Sequence, residues 1–73
     1  MTHTVLAELV ANVLKVVVNP GDEVLAGDML VILESMKMEI PVLAEIAGTV
    51  AEIAVHEGDV ITEGDTIAVI VGS

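Results

Sequence analysis

No cysteine, phenylalanine, tyrosine, tryptophan or arginine occurs in this 73-residue chain. Without cysteine there is no disulfide framework and no thiolate metal site to hold a small fold together. Without aromatic rings there is no platform on which bases, sugars or flat ligands stack. Positive charge is nearly missing: Lys15 and Lys37 stand against twelve acidic residues, for a net charge of −10. Nucleic acid and anionic membrane surfaces both demand clustered positive charge, so neither is an expected partner. Long apolar runs are also lacking, because Lys15, Glu34 or a Gly-Asp pair interrupts each one well short of about 18 residues. The start, Met1-Thr2-His3-Thr4, has no positive n-region, and Glu8 falls where a signal peptide would be apolar, so a cytoplasmic location is expected.

What is present is aliphatic. Hydrophobic residues make up 55% of the chain, almost all Val, Ile, Leu, Ala and Met. A single domain over residues 1–73, near the lower limit for an unstapled fold, needs that material for its core. The material is arranged as a repeat. Residues 11–33 align with residues 48–70, matching Val13 with Val50, Val18 with Val55, Gly21-Asp22 with Gly58-Asp59, and Gly27-Asp28 with Gly64-Asp65. Turn residues fall on turn residues and apolar residues on apolar residues.

Each unit reads as strand, turn, short extended link, turn, strand. The strand-forming segments are 13–18, 29–34, 50–55 and 66–71, bounded by Gly-Asp pairs in which glycine permits positive φ and the aspartate can bond nearby amides. Gly48, in the G-T-V that opens the second unit, is counted with these turn glycines. No stretch sustains apolar residues at i, i+3, i+4 and i+7 between caps, so little or no helix is expected. Alternation is imperfect, since Val13 shares a face with Val16 and Val18 only if a bulge intervenes. The composite is an all-β sandwich or flattened barrel with a pseudo-twofold axis between its halves.

The segment joining the units, Glu34-Ser35-Met36-Lys37-Met38-Glu39, holds the only unusual chemistry. Apolar strand residues on both sides predict a hairpin centred on Met36 and Lys37, pairing Leu33 with Ile40 and Glu34 with Glu39. A two-residue hairpin turn normally takes Asn-Gly or Asp-Gly, because both central residues need positive φ. Met-Lys is a poor choice there, and glutamate opposite glutamate is an unfavourable cross-strand pair. Two readings remain open on residue chemistry alone. Lys37 is a solvated turn residue with methionine filler beside it, or local rules are broken because the lysine has work to do.

The stretch Glu34-Ser35-Met36-Lys37-Met38-Glu39 resembles the attachment motif of the biotinyl domain family, and the Gly-Asp pairs and Gly48-Thr49-Val50 match the same pattern. The likeness extends to biotin carboxyl carrier domains and to small stand-alone biotin/lipoyl attachment proteins. It implies a barrel-sandwich hybrid of two four-stranded antiparallel sheets, with the attachment lysine on a tight hairpin. It implies biotin as cofactor, joined by an amide to Lys37 by a biotin protein ligase, with Glu34, Ser35, Met36, Met38 and Glu39 as the flanking motif. It further implies a monomeric, non-catalytic carrier that takes a carboxyl group between the biotin carboxylase and carboxyltransferase sites of an acyl-CoA or keto acid carboxylase. A lysine amine is almost wholly protonated at neutral pH, and the ligase must supply the base, since His3 and His56 lie outside the hairpin and are expected to be simply solvated. Two departures stand out. Ala11 occupies a place where the family often has glycine, and no insertion separates Gly21-Asp22 from Gly27-Asp28, so the protruding thumb of some carriers should be missing.

A lipoyl carrier is the nearest alternative, but its lysine typically follows aspartate, and methionine on both sides favours biotin. An unmodified interaction module of the same fold has no use for Met-Lys-Met. No triad and no metal-ligand spacing is legible, so no catalytic or metal-binding residue is assigned.

Overall fold

The computed structural model describes residues 1–72. Eight strands follow one another with no helix among the described residues: β1 (Thr2–Leu6), β2 (Ala11–Val16), β3 (Glu23–Val24), β4 (Met29–Ser35), β5 (Met38–Leu43), β6 (Gly48–Ile53), β7 (Val60–Ile61) and β8 (Thr66–Gly72). They form two antiparallel four-stranded sheets, in the orders β1-β8-β6-β3 and β5-β4-β2-β7. Adding 37 to each residue of β1 to β4 lands on β5 to β8, and the same exchange turns one sheet order into the other. The pseudo-twofold axis expected from the repeat is therefore present. It relates sheet to sheet, and each half contributes two strands to both.

The turns work as their composition predicts. In Asn19-Pro20-Gly21-Asp22 the Asp22 amide donates to the Asn19 carbonyl at 3.0 Å, and Gly21 lies at φ 96°, the left-handed position that such a turn reserves for glycine. The Asp22 carboxylate then accepts from the Asn19 amide at 2.8 Å. Asp28, Asp59 and Asp65 close on the amides of Leu25, His56 and Thr62 in the same way. Each turn also clasps the opposite half. The Gly21 amide donates to the Val50 carbonyl and the Val50 amide to the Asp22 carbonyl, while Gly58 and Asp59 make the mirror pair with Val13. Gly27-Asp28 clasps Ala44, and Gly64-Asp65 clasps Ala7, by the same exchange.

The bulge that the strand pattern requires is found in β2. Register shifts between Val13 and Lys15 against β4, leaving Leu14 as the extra residue, and its pseudo-symmetric mate is Ala51 in β6. A second pair of bulges at Leu30 and Ile67 explains why consecutive residues Leu30 and Val31, or Ile67 and Ala68, are both buried. With Val13, Leu33, Val50 and Ile70 these residues fill the space between the sheets. Each fully buried Leu or Ile contributes roughly 1.5–3 kcal/mol relative to its exposed state.

Three expectations need correction. The strands predicted over 13–18 and 50–55 begin and end two residues earlier, because the chain leaves the sheet after the bulge to form the next turn. The repeat is longer than residues 11–33 and 48–70: Val5-Leu6-Ala7-Glu8 matches Val42-Leu43-Ala44-Glu45, and β1 is the mate of β5. Gly48 is not a turn glycine. It opens β6 opposite Gly72, where a Cβ would run into the Val71 backbone carbonyl, so its role is close approach between strands.

Candidate functional site

Strands β4 and β5 are joined by the shortest connection among the described residues, Met36-Lys37, and both predicted pairs are found: Leu33 lies opposite Ile40 and Glu34 opposite Glu39. Beyond them Ser35 pairs with Met38. Met36 and Lys37 are the only non-glycine residues at positive φ among the described residues, at 53° and 65°. This is the left-handed pair that a type I′ turn demands. It sharpens the hairpin and aims the two central side chains away from the sheet.

The hairpin also overhangs its sheet. The ladder between β2 and β4 stops at Asn12 opposite Glu34, whereas the ladder between β4 and β5 continues to Ser35 opposite Met38. The last pair and the turn thus have no ladder partner on the β2 side among the described residues. Ala11 is accommodated there for the same reason: its mate Gly48 faces Gly72 across a continued ladder, but Ala11 has no such partner and pairs only with Ile61 of β7.

Every member of the predicted motif is gathered at this pole. Met36 is 91% and Met38 63% exposed. Lys37 and Glu39 are exposed, while Glu34 and Ser35 are half-buried. Lys37 takes part in neither of the ion pairs found among the described residues, His3–Glu45 and His56–Asp59. Its amine is therefore not pinned to Glu34 or Glu39. A shallow groove runs beside it, bounded by Ser35, Met36 and Lys37 on one flank and by Val10, Ala11 and Val60 on the other. Val10 and Val60, exposed at 61% and 68%, are neighbours of the turn that no sequence motif marks. Val10 is brought there by the pairing of β2 with β4 and Val60 by the pairing of β7 with β2, which no local pattern announces.

Lys15, the other lysine, lies on β2 opposite Ile32, with its side chain exposed and no methionine beside it. The predicted turn residues Gly21, Asp22, Gly27, Asp28, Gly58, Asp59, Gly64 and Asp65 do not approach the hairpin as a set. They are the clasps between the halves. His3 differs from expectation: its Nε2 lies 2.9 Å from Glu45 Oε1, tying the edge strand β1 to the connection after β5. His56 is exposed beside Asp59. No group of three or more His, Asp or Glu side chains is placed to hold a metal among the described residues.

Known proteins share this arrangement. The family model described as biotin-requiring enzyme matches residues 2–70. A 42-residue stretch is 66% identical to the biotinylated protein TB7.3 of Mycobacterium tuberculosis, covering 58% of this chain and 59% of that protein. The chain thus spans about three fifths of that relative's length. Among solved structures, a single-chain, multi-domain long-chain acyl-CoA carboxylase superimposes with a TM-score of 0.91 at 30% identity, over 99% of this chain and 7% of the larger one. The urea carboxylase of Kluyveromyces lactis does so with a TM-score of 0.91 at 38% identity, over 97% of this chain and 6% of that protein. In both, the matched part is a small domain of a much longer carboxylase. With the match running through all eight strands, the chain belongs to the family of biotin-requiring enzymes.

Proposed function

We propose that this chain is the biotin carrier of a biotin-dependent carboxylase and that Lys37 is its attachment residue. The observation that carries the reading is the placement of Lys37: an unpaired, exposed amine at the tip of a type I′ hairpin that overhangs its sheet between two exposed methionines. The cofactor is biotin, held covalently. The site fits it, since an amide needs only a primary amine that an activated carboxyl can reach, and the left-handed turn delivers that amine clear of the sheet. When bound, biotin supplies the chemistry of accepting and donating a carboxyl group.

The chain's own residues do the remaining work. The I′ turn fixes the direction in which the Lys37 stem leaves the domain, and the β4–β5 ladder keeps that direction rigid. Met36 and Met38 present apolar, pliable surface to whatever closes over the hairpin. The acidic surface favours partners with basic clefts. A carrier of this kind has to enter a ligase and then two carboxylase-type active sites, and tethering the cofactor raises its effective concentration at each. No residue of this chain is given a catalytic role. The proposed partners are a biotin protein ligase and biotin carboxylase and carboxyltransferase components, served by a monomeric carrier.

Lys15 and Lys37 are the only side-chain amines, so two variants test the assignment. Incubation with a biotin protein ligase, ATP and biotin, read by streptavidin and intact mass, should label wild type and Lys15→Arg once. Lys37→Arg keeps the charge and the turn and should not be labelled. Biotin retained on folded Lys37→Arg protein would overturn the assignment.

A further inference from the structure

The side chains of this domain offer an oxidant few targets. Cysteine, tryptophan and tyrosine are absent, so the four methionines are the groups that a hydroperoxide attacks most readily. Their exposure is uneven: Met1 94%, Met36 91%, Met38 63% and Met29 41%. Two of the four therefore bracket Lys37, and Met1 belongs to the opposite pole, where its carbonyl accepts from the Gly72 amide. Neither Met36 nor Met38 belongs to the core between the sheets. Met36 also occupies a positive φ at which its Cβ is a local cost. Its bulk does nothing evident for the free domain and gains value only when another surface covers the hairpin.

We propose that Met36 and Met38 form an oxidation site for hydroperoxides that turns off modification of Lys37 without unfolding the domain. The inference rests on the reading of Lys37 as the attachment lysine. The thioether sulfur attacks the terminal oxygen of the hydroperoxide, the O–O bond breaks, and an S–O bond forms. The sulfur is oxidised by two electrons and the peroxide is reduced to water or an alcohol, which keeps the hydroperoxide proton. The product, methionine sulfoxide, replaces an apolar surface with a chiral, strongly accepting S–O dipole. Exposed in the free domain, that oxygen is hydrated and harmless. Carried into a cleft shaped for a thioether, it loses water without gaining a donor, enough to slow attachment about tenfold or more. Methionine sulfoxide reductases reverse the change, oxidising two thiols to a disulfide and releasing the oxygen as water.

The test uses unmodified full-length protein treated with hydrogen peroxide, with sulfoxides located by peptide mass spectrometry and the fold followed by circular dichroism. Met1 and Met36 should oxidise ahead of Met29, with an unchanged spectrum. Labelling by a biotin protein ligase should fall about tenfold or more, and the two methionine sulfoxide reductases, one for each sulfoxide epimer, together with dithiothreitol should restore it. Met29→Leu, outside the hairpin, should behave as wild type. The Met36→Leu, Met38→Leu double variant should label at a rate that peroxide does not alter, and the two single variants divide the effect between the sulfurs. Sulfoxide at positions 36 and 38 with an unaltered labelling rate would remove this inference alone, as would peroxide sensitivity that persists in the double variant. Unoxidised protein that the ligase never labels would remove the attachment reading, and this inference with it.

Discussion

Replacing Met36 by asparagine should make the domain more stable and a worse substrate. Met36 and Lys37 sit at φ 53° and 65°, and each L-residue held there costs roughly 1–2 kcal/mol. Asparagine populates this region far more readily and is the preferred first residue of a type I′ turn. The loss on the other side of the balance is small, because Met36 is 91% exposed and removes almost no apolar surface from water. Ladder pairs Ser35–Met38 and Glu34–Glu39 are untouched by the change. The net expectation is a gain of about 1 kcal/mol, and for a domain of this size that raises Tm by roughly 4–8 °C. Thermal unfolding by circular dichroism, with urea unfolding as an independent check of ΔG, measures it. An unchanged or lowered Tm would show that the turn stores no strain and would refute the reasoning. Labelling by a biotin protein ligase should slow in the same variant, because the thioether side chain meets a surface only when a partner covers the turn. Stability and function would then be opposed at this residue, as expected where a strained turn is kept for use.

The pseudo-symmetric pair Ala11 and Gly48 should respond in unequal ways. Gly48→Ala drives a Cβ into the Val71 carbonyl and should cost about 2–3 kcal/mol, whereas Ala11→Gly should cost only about 0.5–1 kcal/mol; equal losses in urea unfolding would refute the asymmetry. Twelve carboxylates against two lysines should repel one another, so Tm should rise between low and moderate sodium chloride. A flat or falling Tm would show self-repulsion to be negligible.

The sequence by itself determined what local rules govern. Four Gly-Asp turns, the strands between them and the hairpin centred on Met36-Lys37 follow from φ preferences and the spacing of apolar residues, and the 37-residue offset is enough to place a pseudo-dyad. The poor fit of Met-Lys to its turn is visible in the residues alone and marks the site. Tertiary structure decided what depends on partners far apart in the chain. The fragment Val5-Leu6-Ala7-Glu8 repeats at Val42-Leu43-Ala44-Glu45 and could have extended the repeat, but only pairing of β1 with β8 makes it a strand of the opposite sheet. The bulge at Leu14 was signalled by broken alternation, while its position, and the bulge at its mate Ala51, are set by the registers of β4 and β8. Gly48 reads as a turn glycine until the Val71 carbonyl is seen against it, and Val10 and Val60 reach the hairpin only because β2 pairs with β4 and β7 pairs with β2. Backbone conformation is written residue by residue, but register and close approach are settled between segments, where the energy comes from burying both surfaces at once.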